Sequence, residues 1–466
     1  MSGIDTLAPG HQVVEQALAL PGDDQRIVLV HDGSEAEVRF ANNRSTSNGT
    51  RRWRRVAVIS LRPEGTGAAF AMASRSGAPD LGDLLEAARA DAAGAPPAAD
   101  ASPLIVADAD ADPGFDEPAV LSGGDVLDPV LRDLGDACGA ARGRRQVLAG
   151  FAEHAVTTIW LGSSTGMRRR FVQPTGRLQV VARTADGTAS AWAGSGTADF
   201  TDVSLPAVVQ QLQQRLTWAS RRVELPPGRY DTVLPGDAVA DLLCPLGEAL
   251  SGVDAEEGRS VFSAPGGGTR LGEQLSPHAL QLRSDPDAAG LACSPFLATA
   301  TSGRDVSVFD NGMSLDPVAW ISDGQLRRLR YHRAAARRFD QPTACGADNL
   351  VLTLPGATAR VEDLVAEVER GLLLTCLWYI REVDPVTLLL TGLTRDGVYL
   401  VEHGEVVGAV NNFRFNESPV DLLRRASAVG ASDRALSREW NEWFPRTAMP
   451  PLRVPDFNMS SVSPAT

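Results

Sequence analysis

Six histidines, His11, His31, His154, His278, His332 and His403, are the first residues that could do metal or acid–base chemistry. No two lie three to five positions apart, so no helix presents an HExxH or HExxxH pair of imidazoles to one zinc ion. Cys138, Cys244, Cys293, Cys345 and Cys376 are widely spaced, odd in number and free of any CxxC, which supports neither a zinc ribbon nor a disulfide framework. Gly162-Ser163-Ser164-Thr165-Gly166 fits the nucleophile-elbow pattern, with Asp310 and His403 downstream. That chemistry needs a strand-to-helix turn, whereas Met167 to Gln173 reads as another strand, so a hairpin loop is expected. Asp108-Ala109-Asp110-Ala111-Asp112 opens like a calcium loop, but Pro113 replaces the turn glycine and Ala119 the bidentate glutamate. A solvated acidic loop is the expectation there.

Two glycine-rich stretches fail as phosphate cradles. Gly266-Gly267-Gly268 has no Gly-Lys-Ser/Thr after it, and Gly194-Ser195-Gly196 is followed by Asp199 where a dinucleotide loop needs glycine. Arg51-Arg52-Trp53-Arg54-Arg55 is the densest basic cluster. Arginine with an aromatic suits single-stranded nucleic acid. On a strand, however, successive side chains split between two faces, and a solvated strand edge is the plainer reading.

The chain that must position these residues has 466 residues, more than a single core serves, so two to three domains are expected. Its 58 acidic residues against 44 basic give a formal charge of -14, a field that disfavours nucleic acid as a partner. Met1 to Gly10 has neither a basic n-region nor an apolar h-region, and no apolar run reaches the roughly 18 residues of a membrane span. A cytoplasmic, reduced protein with no membrane contact is expected.

Periodicity gives an α+β fold: small N-terminal α/β domains followed by a large β-rich C-terminal domain. Residues 11–92 read as a helix, then strands at Arg26 to Val30, Ala36 to Phe40, Trp53 to Leu61 and Ala68 to Ala73, then a helix at Leu81 to Ala92. Turns are expected at His31-Asp32-Gly33-Ser34 and Ser47-Asn48-Gly49. Residues 93–118, rich in Ala, Pro and Asp, read as a linker unable to bury much. Residues 119–222 form a second α+β unit: a helix at Asp125 to Ala141, strands at Val156 to Gly162, Met167 to Gln173 and Leu178 to Thr184, an Asp186-Gly187 hairpin, and a helix capped by Ser204. Residues 227–460 hold many short strands, with helices expected at Ala238 to Leu250, Ala334 to Arg338 and Val361 to Leu374.

Several segments of this last unit follow one another in a familiar order. Phe309-Asp310-Asn311-Gly312-Met313, then Ile321-Ser322-Asp323-Gly324, is similar to an FDDEG…IENG stretch, and Ala335-Ala336-Arg337 to a TAAR segment. Arg370-Gly371-Leu372-Leu373-Leu374-Thr375 resembles GLLVTE, Val398 to Val406 resembles GFWVENGEI, and Pro450 to Asn458 resembles TLLIEDF. Together they resemble the TldD/PmbA family, the modulator of gyrase proteins. The likeness spans most of the chain in short pieces.

In that family, TldD-type members carry HExxxH on a helix, and a later cysteine completes the metal site. The matching segment here is Leu242-Leu243-Cys244-Pro245-Leu246-Gly247-Glu248-Ala249, so the three functional positions fall on Cys244, Pro245 and Ala249. No cysteine follows in Trp443 to Pro451. The resemblance therefore implies a TldE-type chain with no cofactor of its own, zinc being expected in a TldD-like partner subunit, and with a peptide or amide as substrate. Cys244 and Glu248 read as the remnant of a metal site only weakly, because two soft or charged groups without a third ligand rarely hold zinc. Asn411, Asn412 and Phe413, near the end of an expected strand, are candidates for lining a substrate chamber. Two further readings stand beside this one: a divergent member that acts with a TldD-like partner on an amide bond in specialised-metabolite biosynthesis, and a non-enzymatic interaction protein.

Overall fold

The computed structural model describes residues 7–64, 67–107 and 112–464. Asp108 to Ala111, most of the calcium-like run, lie outside the described residues.

The amino-terminal half is one antiparallel sheet. It begins with α1 (Gly10–Ala19), β1 (Gln25–Ala41), β2 (Arg44–Glu64), β3 (Gly67–Ser76) and α2 (Leu81–Gly94). It continues with α3 (Asp128–Gly143), β4 (Gln146–Ser163), β5 (Arg168–Thr184), β6 (Ser190–Thr197) and α4 (Leu205–Trp218). The strand order is β3-β2-β1-β4-β5-β6. β1 pairs with β4 from Ile27↔Ser163 to Phe40↔Gly150, so segments 11–92 and 119–222 contribute strands to a single shared sheet. Side chains alternate across it. Val28, Val30, Ala36, Val38 and Phe40 of β1 pack under the helices, whereas Ile27 and Leu29 face the other way, into a cluster with Leu104, Phe296, Val308 and Phe309.

Pairing moves three expected breaks. The turn read at His31-Asp32-Gly33-Ser34 lies inside β1, where Asp32 is held between Arg54 and Thr158. Gly33 serves close approach there: a Cβ would sit 2.1 Å from the Trp53 ring. The break read at Ser47-Asn48-Gly49 lies inside β2. The hairpin turns at Asn42 and Asn43 instead, both left-handed with φ of 50° and 58°, as a two-residue hairpin turn requires. β5 runs as one strand through Pro174 because β6 stops opposite Gly176, so the missing N–H at Pro174 leaves no ladder bond unmade on that side.

Segment 93–118 is not a free linker in its described part. Leu104 and Phe115 are buried, and the Asp100 carboxylate accepts from Ser302 Oγ and Ser307 Oγ at 2.6 Å each. Leu104 packs in the seam between the amino-terminal sheet and the rest of the chain, while Phe115 packs against the amino-terminal helices.

The carboxy-terminal half wraps two sheets around a helix. β7 (Arg222–Val223), β8 (Gly228–Leu234) and α5 (Gly236–Glu248) open it. β8 sits centrally in a ten-stranded sheet, between Leu452–Val462 and Arg370–Leu374, and Leu377–Asp384 forms one edge of that sheet. A six-stranded sheet runs Gln325–Leu326, Val318–Ser322, Gln281–Ser284, Leu350–Thr353, Thr447–Met449, Asp433–Ala435. One core cluster joins both sheets to α5 through Leu242, Leu243, Leu246, Leu282, Trp320, Leu352, Leu372, Phe415 and Phe457. The helix expected over 361–374 ends at Ala366; Arg370–Leu374 is a strand parallel to β8. There Gly371 lets the backbones meet, since a Cβ would come within 2.3 Å of the Asp231 carbonyl oxygen. A continuous apolar run suits a strand buried on both faces as well as a helix, and tertiary position decides. The fold is α+β and mostly sheet, as expected. No helix among the described residues is long and apolar enough to cross a membrane.

Candidate functional site

The site is built from α5 outward. A helix apolar nearly all round must be buried, and α5 is, from Ala238 to Cys244. Gly236 begins it because a Cβ there would meet the Met449 carbonyl oxygen at 2.7 Å. Pro245 lies inside the helix and has no N–H for the carbonyl of Asp241, four residues back. That carbonyl instead accepts from Trp440 Nε1 at 2.8 Å. The Asp241 carboxylate accepts from Ser437 Oγ at 2.6 Å and from the Glu439 N–H at 2.8 Å, and Asp237 accepts from the Leu436 N–H at 2.9 Å. Burial pushes Asp241 up to about 8 and Asp237 up to about 6; the bonds they accept oppose the rise. The helix thus clamps segment 436–441 to its side.

That segment raises one wall of a cleft of about 600 Å³. Trp440, Trp443 and Phe444 form the aromatic wall; Cys244, Pro245 and Glu248 form the helix side; Asp305, Val306, Arg330 and the stretch Cys345 to Asp348 lie across, with Glu382 and Leu390 at the sheet edge. Arg330 pairs with Asp305 at 3.4 Å, and Arg446 pairs with Asp348. Burial raises the Asp305 carboxyl, and the Arg330 charge opposes that rise.

The residues on the helix do not fit zinc. Cys244 is buried, and burial, with Asp241 and Glu248 adding, lifts its thiol well above the ordinary range. Cys345 is pushed up to about 12, chiefly by burial. Pro245 has no donor atom to give, and Ala249 is half-buried and does not line the cleft. Zinc takes four ligands, three of them from the protein even in an open site. Among the described residues no three His, Cys, Asp or Glu side chains converge to supply them.

The other candidates are spent on structure. Gly162 to Gly166 joins β4 to β5 as a hairpin; Ser163 Oγ lies 2.7 Å from Thr165 Oγ1, and Ser164 Oγ accepts from the Arg26 N–H at 3.1 Å. Asp310 is fully buried on Arg333 at 2.6 Å, and His403 sits exposed on a hairpin turn beside Glu369. Phe413 cannot line a chamber: it is fully buried in the core. Asn411 Oδ1 accepts from the Leu225 N–H at 2.7 Å, and neither it nor Asn412 lines the cleft. The residues that do line it, Asp305, Arg330, Glu382, Trp440 and Trp443, carry no local signal. The clue in the sequence is the helix segment that carries Cys244, Pro245 and Glu248.

Residues 227–461 match the PmbA/TldA metallopeptidase C-terminal domain, and the match spans α5 and every residue lining the cleft. The chain belongs to the TldD/PmbA family. Its fold is shared with solved structures. TldE from Thermococcus kodakarensis superposes with a TM-score of 0.74 at 15% identity, over 96% of this chain and 98% of that one. Proteins bearing the name modulator of DNA gyrase superpose likewise. The one from Thermotoga maritima MSB8 gives a TM-score of 0.76 at 15% identity, over 96% and 99% of the two chains. The one from Bacteroides thetaiotaomicron VPI-5482 gives 0.72 at 14% identity, over 97% and 98%. At such identities the likeness carries the fold alone. No curated protein matches the sequence significantly. Within the TldD/PmbA family, the cleft of this chain lies on the helix that the resemblance aligns with HExxxH, at Cys244 and Pro245.

Proposed function

We propose that this chain is the non-catalytic, TldE-type subunit of a heteromeric TldD/TldE-type metalloprotease that cleaves unfolded or modified peptides. A TldD-like homologue would hold the zinc, polarise the scissile carbonyl and activate water. This chain would supply scaffold and part of the chamber that holds the peptide. The observation that carries the reading is the replacement on α5: a buried thiol, a proline ring and a methyl stand at the HExxxH positions, while an open cleft persists beside them.

The basic cluster of β2 weighs against a nucleic-acid reading. Arg54 is locked to Asp32, Arg51 to Glu35, and Arg55 donates to Ser74 Oγ. The Asp32 and Glu35 carboxylates neutralise two of these arginines, which lowers the charge the cluster offers to phosphates.

The test is purification of the chain alone and together with a TldD-like homologue. Co-purification is expected, with metal-dependent peptide cleavage by the pair and none by this chain. Full metal-dependent activity from the solitary chain would reject the proposal.

A further inference from the structure

We infer that the cleft beside α5 receives a lysine or arginine side chain of an extended peptide, with a neighbouring apolar residue laid on the aromatic wall. The inference rests on the peptide-handling reading above and gives the chemical class of what is handled.

Size comes first. About 600 Å³ holds more than one side chain and lies within the usual range of ligand sites. The lining then sets the chemistry. Four carboxylates, Glu248, Asp305, Asp348 and Glu382, face one guanidinium, Arg330. Asp305 and Asp348 have arginine partners, but among the described residues neither Glu248 nor Glu382 has an ion-pair partner. These two stand on different elements, the end of α5 and the edge strand Leu377–Asp384, so they flank the cleft rather than cluster on one loop.

The wall is as specific as the charge. The Trp443 ring is 83% exposed, and Trp440 and Phe444 stand beside it. Large aromatic faces near uncompensated carboxylates form the standard receptor for an organic cation on an apolar stem. Pro245 is part of this design. By leaving the Asp241 carbonyl without its helical donor, it provides the acceptor that fixes the Trp440 indole. The position that the family resemblance gives to a general base here holds a cleft wall in place. A neutral or acidic peptide would leave Glu248 and Glu382 desolvated and uncompensated, which disfavours it.

The experiment uses the full chain alone. Blocked pentapeptides Ala-Leu-X-Leu-Ala, with X lysine, norleucine or glutamate, are titrated while tryptophan fluorescence is followed at low and high salt. The lysine peptide should bind about tenfold tighter than norleucine at low salt, and glutamate weakest. The double variant Glu248→Gln/Glu382→Gln should remove the lysine preference and leave norleucine binding in place. Trp443→Ala should weaken both peptides several-fold. All three sites are exposed, so unchanged melting curves will verify folding. Equal binding of the lysine and norleucine peptides, a preference that survives the double variant, or no binding at all would overturn the inference. Because no partner is present, a chain that binds lysine peptides yet never associates with a zinc-bearing homologue keeps this inference and loses the subunit assignment. The reverse outcome separates them equally well.

Discussion

Strand β2 and the cleft beside α5 treat charge in opposite ways. On β2 four arginines crowd into five residues, yet pairing with β1 sets Arg54 against Asp32 and Arg51 against Glu35. In the cleft the carboxylates come from positions as distant as 248 and 382, and among the described residues two of them meet no cation. Dense charge along a strand is readily neutralised across the ladder, because directly opposed residues are close. Sparse charge from distant positions is brought together only by tertiary folding, as at Glu248 and Glu382. Local charge density was therefore the weaker guide to a site.

The sharpest way to break this contrast is Asp32→Ala. Arg54 is 6% exposed and holds Asp32 through two bonds of 2.5 Å, so its buried charge would keep only the Ala8 carbonyl oxygen as a partner. A loss of about 3–5 kcal/mol is expected, measured by chemical denaturation with hydrogen exchange on the amino-terminal sheet. A loss under about 1 kcal/mol would mean that the β2 arginines are not tied down as described.

Next in size is the wall of the cleft. Trp440→Phe removes the donor to the Asp241 carbonyl and should cost about 1–3 kcal/mol, because that acceptor is then unsatisfied. Pro245→Ala restores a helical N–H to the same carbonyl. The double variant Pro245→Ala/Trp440→Phe should therefore be more stable than the sum of its singles, which thermal melts of all four proteins will reveal. Strict additivity would break the link between the proline and the wall.

A dependence on pH is expected as well. Asp241 is raised from its ordinary value near 3.8 to about 8 in the folded chain, chiefly by burial. The folded state thus binds a proton that the unfolded state releases, and stability falls as pH climbs from about 4 to about 8. Asp241→Asn keeps an acceptor oxygen for Ser437 and Glu439 and should flatten that part of the stability–pH curve. An unchanged slope would show that Asp241 is ionised in the fold. Smallest of all is Arg51→Ala. Its side chain is 72% exposed, and a change within about 0.5 kcal/mol is expected by thermal melt.

How much could be read beforehand varied with the range of the forces involved. The start of α4 and the Asp186-Gly187 turn were legible because their causes are local: Ser204 Oγ accepts from the Ala207 N–H, and Asp186 accepts from Thr184 and Thr188. The long β1 and β5 strands were read as broken, since Gly33 and Pro174 resemble punctuation until the neighbouring strands are known. The strand Leu377–Asp384 was missed altogether. Its sequence, Leu-Trp-Tyr-Ile-Arg-Glu-Val-Asp, lacks clean alternation, and two irregularities disturb its pairing with Leu389–Thr394. The candidate site was half legible: Cys244, Pro245 and Glu248 were marked by their place on the helix, whereas Asn411, Asn412 and Phe413 were not in the cleft.

By itself the sequence determined what α5 cannot do. Residue types are fixed before folding, and neither a proline ring nor a methyl group can become a base or a ligand. It also determined the α+β class and the family, since turn residues, apolar periodicity and motif order are local properties. Only tertiary structure decided that Pro245 frees a carbonyl for Trp440, that Glu248, Glu382 and Trp443 line one cleft, and that segments 11–92 and 119–222 share one sheet. Each of those depends on partners many tens of residues apart or more, and no neighbourhood in the chain specifies them.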